Sequence, residues 1–169
     1  MALSMYQASI PTFIHALNNL IAILEKGLAH AEAKKIDPSV FLNSRLFPDM
    51  LPLTRQIHIA TDGVKGCAAR LAGQTPPVFE DNETTFAELI ARLRKTIDYL
   101  NTFSTAQIDG TEEKEITLKI GAHEMKFLGQ PYLLSFVVPN FYFHVATAYN
   151  ILRHNGVEIG KQDYLGKIQ

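Results

Sequence analysis

From Tyr6 to Leu28 the apolar residues recur at steps of three and four: Tyr6, Ile10, Phe13, Ile14, Leu17, Leu20, Ile21, Leu24 and Leu28. An α-helix turns once every 3.6 residues, so this spacing gathers them into one wide stripe. It predicts an amphipathic helix over residues 4–33. Such a stripe must be buried against something, and the chain supplies three more. Leu53, Ile57, Ala60, Val64, Cys67, Ala68 and Leu71 form a second, which stops at Gly73. Phe86, Leu89, Ile90, Leu93, Ile97 and Leu100 form a third. Leu134, Val137, Val138, Phe141, Val145, Ala148 and Leu152 form a fourth within 131–154, closed by Asn155-Gly156. Four helices of this kind predict an all-α four-helix bundle. A length of 169 residues suits a single domain spanning 1–169.

Prolines and caps set the ends. Pro11 predicts a kink, or a helix that begins at Ser9, and Pro139 predicts a kink or break in the last helix. "IDPSVFLNSRLFPDMLP" reads as a connector holding at most a short helical turn, and "GQTPPVFEDNE" reads as a loop. Thr85 and Glu88 have the spacing of a capping box. Glu88 and Arg92 read as a solvent-side i,i+4 ion pair. The tail "VEIGKQDYLGKIQ" carries two glycines and reads as irregular chain pinned by Tyr164 and Leu165.

In one segment the period drops to two. Ile116, Leu118 and Ile120 alternate with Thr117 and Lys119, and after Gly121-Ala122 the residues His123, Met125 and Phe127 alternate with Glu124 and Lys126. This predicts a β-hairpin over 115–128 with a two-residue turn. Ile120 then faces His123, Leu118 faces Met125 and Ile116 faces Phe127. All six share one face, which must lie on the helices because an isolated hairpin is marginal in water.

Lys and Arg total 16 against 17 Asp and Glu, a net charge of −1. That balance gives no long-range attraction to phosphate backbones or anionic lipid, which argues against nucleic-acid and membrane partners. The most apolar run is broken by Pro139 and contains His144, which excludes a membrane span. The first basic residue is Lys26, so no signal peptide is expected. Cys67 is the only cysteine and reads as a small core hydrophobe in a reduced, cytoplasmic protein.

Of six histidines, His15, His30, His123 and His154 read as boundary, hairpin or helix-end residues. His58 and His144 lie on the flanks of the second and fourth stripes, with Asp62 one turn beyond His58 and Asn140 one turn before His144. Inward side chains on facing helices are how a bundle builds a metal site. The economical H-x-x-x-H pair is absent, since Ala148 stands four residues after His144, so a third ligand has to come from Asp62, Asp49 or elsewhere. His144, beside Val145 and Ala148, is expected to point inward and to take His58, Asp62 or Asn140 as its hydrogen-bond partner. Tyr142 and Tyr149 carry hydroxyls that, if buried, face a pocket or a second subunit. No nucleophile elbow, HExxH, P-loop or dinucleotide fingerprint is present.

"PLTRQIHIATDGVKGCAARLAG" and "PNFYFHVATAYNILRHNGVEIGKQDYLG" resemble the two signature segments of a bacterial and fungal family known only as a domain of unknown function. The resemblance runs over about 4–166, and that family is grouped with the DinB-like (YfiT-like) superfamily of proposed metalloenzymes. It implies a bundle of up-down-down-up order with a long crossover. It further implies a divalent metal, zinc or nickel, held by one histidine on helix two and an H-x-x-x-H pair on helix four. His58 then matches the helix-two ligand and His144 the first of the helix-four pair, while Ala148 leaves the third ligand missing. Two functions follow as expectations. One is a degenerate relative of metal-dependent transferases or hydrolases. The other is a non-catalytic homodimeric bundle that binds a small molecule or serves a structural interaction.

Overall fold

Ser4 opens the first helix, its Oγ accepting from the Gln7 amide at 3.2 Å. In the computed structural model, which describes residues 3–121 and 123–167, this helix, α1, spans Met5–Lys34. It runs unbroken through Pro11. Proline cannot donate to the Gln7 carbonyl, and the Thr12 hydroxyl does so instead at 3.2 Å. A short α2 (Pro38–Asn43) sits in the connector with Asp37 as its cap. The second long helix, α3, spans Leu53–Leu71 and is stopped by Gly73, whose φ of 75° suits a residue without a Cβ. After the crossover loop 73–85, the Thr85–Glu88 capping box forms as expected and starts α4 (Phe86–Leu100). A single turn, α5 (Thr105–Ile108), follows; just beyond it Asp109 accepts from the Tyr6 amide at 2.8 Å, tying this end to the start of α1.

The hairpin is β1 (Glu115–Ile120) with β2 (His123–Leu128), antiparallel in the expected register: Ile116 with Phe127, Leu118 with Met125, Ile120 with His123. Ile116 and Leu118 are buried, and Met125 and Phe127 are half-buried. His123 is exposed, so the face is covered at its base and not at its tip. Gly121 has the positive φ (59°) that the turn needs; Ala122 and the Ile120 side chain lie outside the described residues.

The last helix departs from the sequence reading. It comprises α6 (Gly129–Pro131), a π-helical stretch at Tyr132–Val137, and α7 (Val138–His154). A wide turn just ahead of Pro139 draws the preceding carbonyls away from its ring, and this is how the chain absorbs a proline without breaking. The extra residue per turn moves the buried stripe to Tyr132, Leu133 and Val137 and leaves Leu134, expected in the core, 47% exposed. The tail is likewise not irregular: α8 (Lys161–Leu165) packs on α1, with Lys26 to Asp163 at 2.6 Å and Asn19 donating to the Tyr164 carbonyl at 3.1 Å.

In the bundle α3 packs on α4 and α7, α1 packs on α4 and α7, and α1 and α3 lie diagonally. Gly27, near the end of α1, faces Phe86 at the start of α4 and Leu152 at the end of α7; a Cβ there would come within 3.2–3.3 Å of both side chains. The end of α1 therefore meets the beginning of α4 and the end of α7, which gives the up-down-down-up order. Among the described residues no helix is long and apolar enough to cross a membrane.

Candidate functional site

Arg92 organises the polar interior. It sits on α4 between Leu89 and Thr96, on the buried side, and its side chain is 1% exposed. Its Nε donates to Thr61 Oγ1 at 2.8 Å, and Nη1 donates to the Glu80 carbonyl at 3.0 Å and to the Glu83 carboxylate at 3.1 Å. Nη2 reaches Asp62 and Asp81 at 3.0 Å each. The expected solvent-side pair with Glu88 is therefore incorrect. Glu88 is spent on the helix cap, accepting from the amides of Thr84 and Thr85 at 2.7 and 2.9 Å. The crossover loop supplies Glu80, Asp81 and Glu83, so one guanidinium fastens that loop to α3 and α4. Phe79 closes the arrangement from outside, its ring between the ammonium groups of Lys65 (3.9 Å) and Lys95 (4.1 Å).

His58 is buried against this cluster. Arg55 donates to its Nδ1 at 3.2 Å, so the neutral ring carries its proton on Nε2. That nitrogen lies 2.8 Å from Glu83 Oε2, yet it is the one buried side-chain polar atom among the described residues without an aligned hydrogen-bond partner. With the ring neutral, the contact is neither an ion pair nor an aligned hydrogen bond.

His144 lies elsewhere. It points inward, as expected, but its Nδ1 meets Gln56 Oε1 at 2.7 Å, not His58, Asp62 or Asn140. Gln56 donates through Nε2 to the Leu51 carbonyl at 2.8 Å, which fixes the amide with its oxygen toward the imidazole. His144 therefore donates from Nδ1 and keeps a lone pair on Nε2. Gln56 and His58 are two residues apart on α3, about 200° around the helix, so the two histidines serve opposite sides of it.

Asp62 and Asn140 do come together, along a cavity of about 440 Å³ between α3, the hairpin and the π-helical turn. Tyr142 and Tyr149 do not join it. Tyr149 packs edge-on against Tyr164 at 5.8 Å, and burial with the neighbouring Tyr164 raises the Tyr142 hydroxyl above its ordinary value. Asp49 and His154 are exposed, His15 bonds to the Leu165 carbonyl at 2.7 Å, and His30 packs edge-on against Phe41. Burial pushes the Cys67 thiol up to about 12, which suits an inert core residue.

Burial holds both inner histidines below the ordinary value of 6.5. For His58, Asp81 and Glu83 oppose the shift, while Arg92 and Arg55 add to it. A histidine with a depressed folded value takes up its proton more readily when unfolded. Its contribution is complete above the unfolded pKa and is lost as pH falls through about 6.5 toward the folded value, at up to about 1.4 kcal/mol per pH unit each. Urea unfolding is expected to give a flat stability profile between about pH 7 and 8 and a decline below 6.5. His144→Gln should flatten that decline, and an unchanged slope in a His58→Gln/His144→Gln double variant would assign the acid sensitivity to carboxylates.

The three-ligand metal set implied by the superfamily does not fit these residues. His58 and His144 do not converge, Ala148 offers no donor, and a fixed guanidinium already sits among the carboxylates beside His58. Among the described residues no three His, Cys, Asp or Glu side chains are grouped to hold a metal ion.

The profile of a family described as "Domain of unknown function (DUF1993)" matches residues 5–165. A crystal structure of a DinB family member protein from Shewanella denitrificans is similar at 43% identity, covering 96% of this chain and 92% of that one with a TM-score of 0.87. No curated protein matches. A profile match over nearly the whole length, joined to a DinB relative at this identity, means that the chain belongs to the DUF1993 family of DinB-like proteins.

Proposed function

We propose that this protein is a DinB-like bundle that has exchanged metal chemistry for binding, and acts as a small-molecule-binding module. The observation that carries this reading is Arg92. A permanently charged guanidinium, hydrogen-bonded to Thr61, Glu80 and Glu83 and paired with Asp62 and Asp81, acts with Arg55 on Asp81 and Lys65 on Asp62 to balance the carboxylates that would otherwise attract a cation to His58. The separation of His58 from His144 supports it from the other side. The buried, unreactive Cys67 is at home in a reduced, cytoplasmic setting.

Elemental analysis of untagged protein tests the proposal. Less than about a tenth of an equivalent of zinc or nickel is expected, with the same unfolding midpoint before and after EDTA. Stoichiometric metal that is lost in His144→Ala would restore the metal-dependent transferase or hydrolase.

A homodimer is part of the same reading. Leu51 and Phe143 flank the Gln56–His144 pair and are 42% and 56% exposed, with Phe47 at 63% on the same connector. Apolar side chains gathered in this way favour a two-fold contact between copies. Sedimentation is expected to show dimer at tens of micromolar protein, a range where roughly micromolar association is visible, and Phe143→Glu should return monomer.

A further inference from the structure

The cavity between α3, the hairpin and the π-helical turn is a built site with a cation that the fold leaves unspent. Its walls are apolar on the hairpin and helix sides: Ile59, Leu118, Phe136 and Val137. Arg70 enters it from α3. The guanidinium folds back over Gly66, where a Cβ would collide with Nη1, and donates to the Tyr132 hydroxyl at 3.1 Å. Glycine at 66 is thus what lets Arg70 lie in this position. No carboxylate among the described residues pairs with Arg70, although a guanidinium has five donors. The other charges on the cavity are Lys119 and Asp62, and Asp62 is already neutralised by Arg92 at 3.0 Å and Lys65 at 2.7 Å. The net charge facing this largely apolar hollow is therefore positive. The floor is open at Gly63, where an added Cβ would meet nothing within 4 Å.

We infer that this cavity binds a small organic carboxylate with an apolar body, the carboxylate on Arg70 and the body against Ile59, Leu118, Phe136 and Val137. A carboxylate takes the free edge of the guanidinium through paired charge-assisted hydrogen bonds. Asn140 and Lys119 stand at the rim as further donors. The π-helical turn has a role here: its extra residue turns Tyr132, Phe136 and Val137 toward α3, and wide turns of this kind recur at binding sites.

The inference rests on the binding-module reading, and the two fail separately. Metal held by the purified protein overturns that reading whatever this cavity binds. The cavity itself is tested by titrating phenylacetate, and its neutral counterpart phenylacetamide, into the full chain after EDTA treatment, followed by calorimetry. One phenylacetate per chain is expected, with phenylacetamide weaker by about tenfold or more. Arg70→Gln should weaken phenylacetate by a similar factor and leave phenylacetamide unchanged. Gly63→Leu, which grows into open space, should keep the fold and abolish both. The inference is overturned if phenylacetate does not saturate, if the amide binds as tightly as the acid, if Arg70→Gln binds phenylacetate normally, or if Gly63→Leu still binds. Should Arg70→Gln fail to fold, Gly63→Leu and the acid-to-amide comparison decide alone.

Discussion

Arg92→Ala is expected to lower the stability of the protein by about 3 kcal/mol, the low end of the cost of breaking a buried ion pair. Asp62 and Asp81 are 44% and 33% exposed and regain water when the guanidinium goes. The loss falls on Glu83, at 12%, on the Thr61 hydroxyl and on the Glu80 carbonyl. In a chain of this length the melting temperature should fall by roughly 10 °C. The crossover loop loses its main anchor in the same step, so limited proteolysis should cut within 73–85 in the variant and not in the wild type. Arg92→Lys should recover less than half of the loss, since one ammonium cannot serve Thr61, Glu83 and the two aspartates from three directions. A cost of under about 1 kcal/mol for Arg92→Ala would mean that the loop is held by other contacts.

Gly129→Ala should cost about as much by a different route. A Cβ at this position would run into the backbone carbonyl group of Thr111, and a backbone atom cannot rotate away. The base of the hairpin would have to shift, stretching the Gln130 amide from the Glu112 carbonyl it now meets at 2.9 Å. About 3 kcal/mol of destabilisation is expected from overpacking of this kind. Gly63→Ala is the internal control. It lies in mid-helix with open space around it, so gaining a methyl should stabilise by up to about 1 kcal/mol. Urea titration of the two variants side by side checks the contrast, and equal effects would refute it.

The parts legible in the sequence are those set by period and cap. The stripes on α1, α3 and α4 fall in the core, the Thr85–Glu88 box forms, and the hairpin pairs in the register its alternation gives. The parts missed are those where one residue has two competing partners. Arg92 lies four residues after Glu88 and three before Lys95, which suggests a surface ladder. Its inward position was visible only in its place between Leu89 and Thr96, matched by the acidic run from Glu80 to Glu83. His144 took Gln56, a neutral amide that carries none of the charge or ligand signals by which partners are sought. The rotation of Leu133 and Leu134 follows from the π-helical turn, which a 3.6-residue period cannot express. Asp62 and Asn140 were expected around one site with His58 and His144, and they line a cavity without either histidine; the part of Arg70, hidden in the middle of a regular stripe, carried no signal.

The diagonal placement of α1 and α3 bears on how the molecule reaches this state. Helices adjacent in sequence would pair first in a simple up-and-down bundle, but α1 has no large contact with α3 and waits for α4 and α7. The largest helix–helix contact, α3 with α7, joins segments separated by the crossover loop, α4 and the hairpin. Loop closure therefore precedes most of the reward, a topology that folds more slowly than a bundle of local hairpins. Among the four long helices of the described residues, α3 and α4 alone are neighbours in both senses, and Arg92 with the crossover loop lies between them. That pair is expected to form first, so substitutions at Thr61 or Arg92 should retard refolding, while those at the α7–α8 end should mainly hasten unfolding.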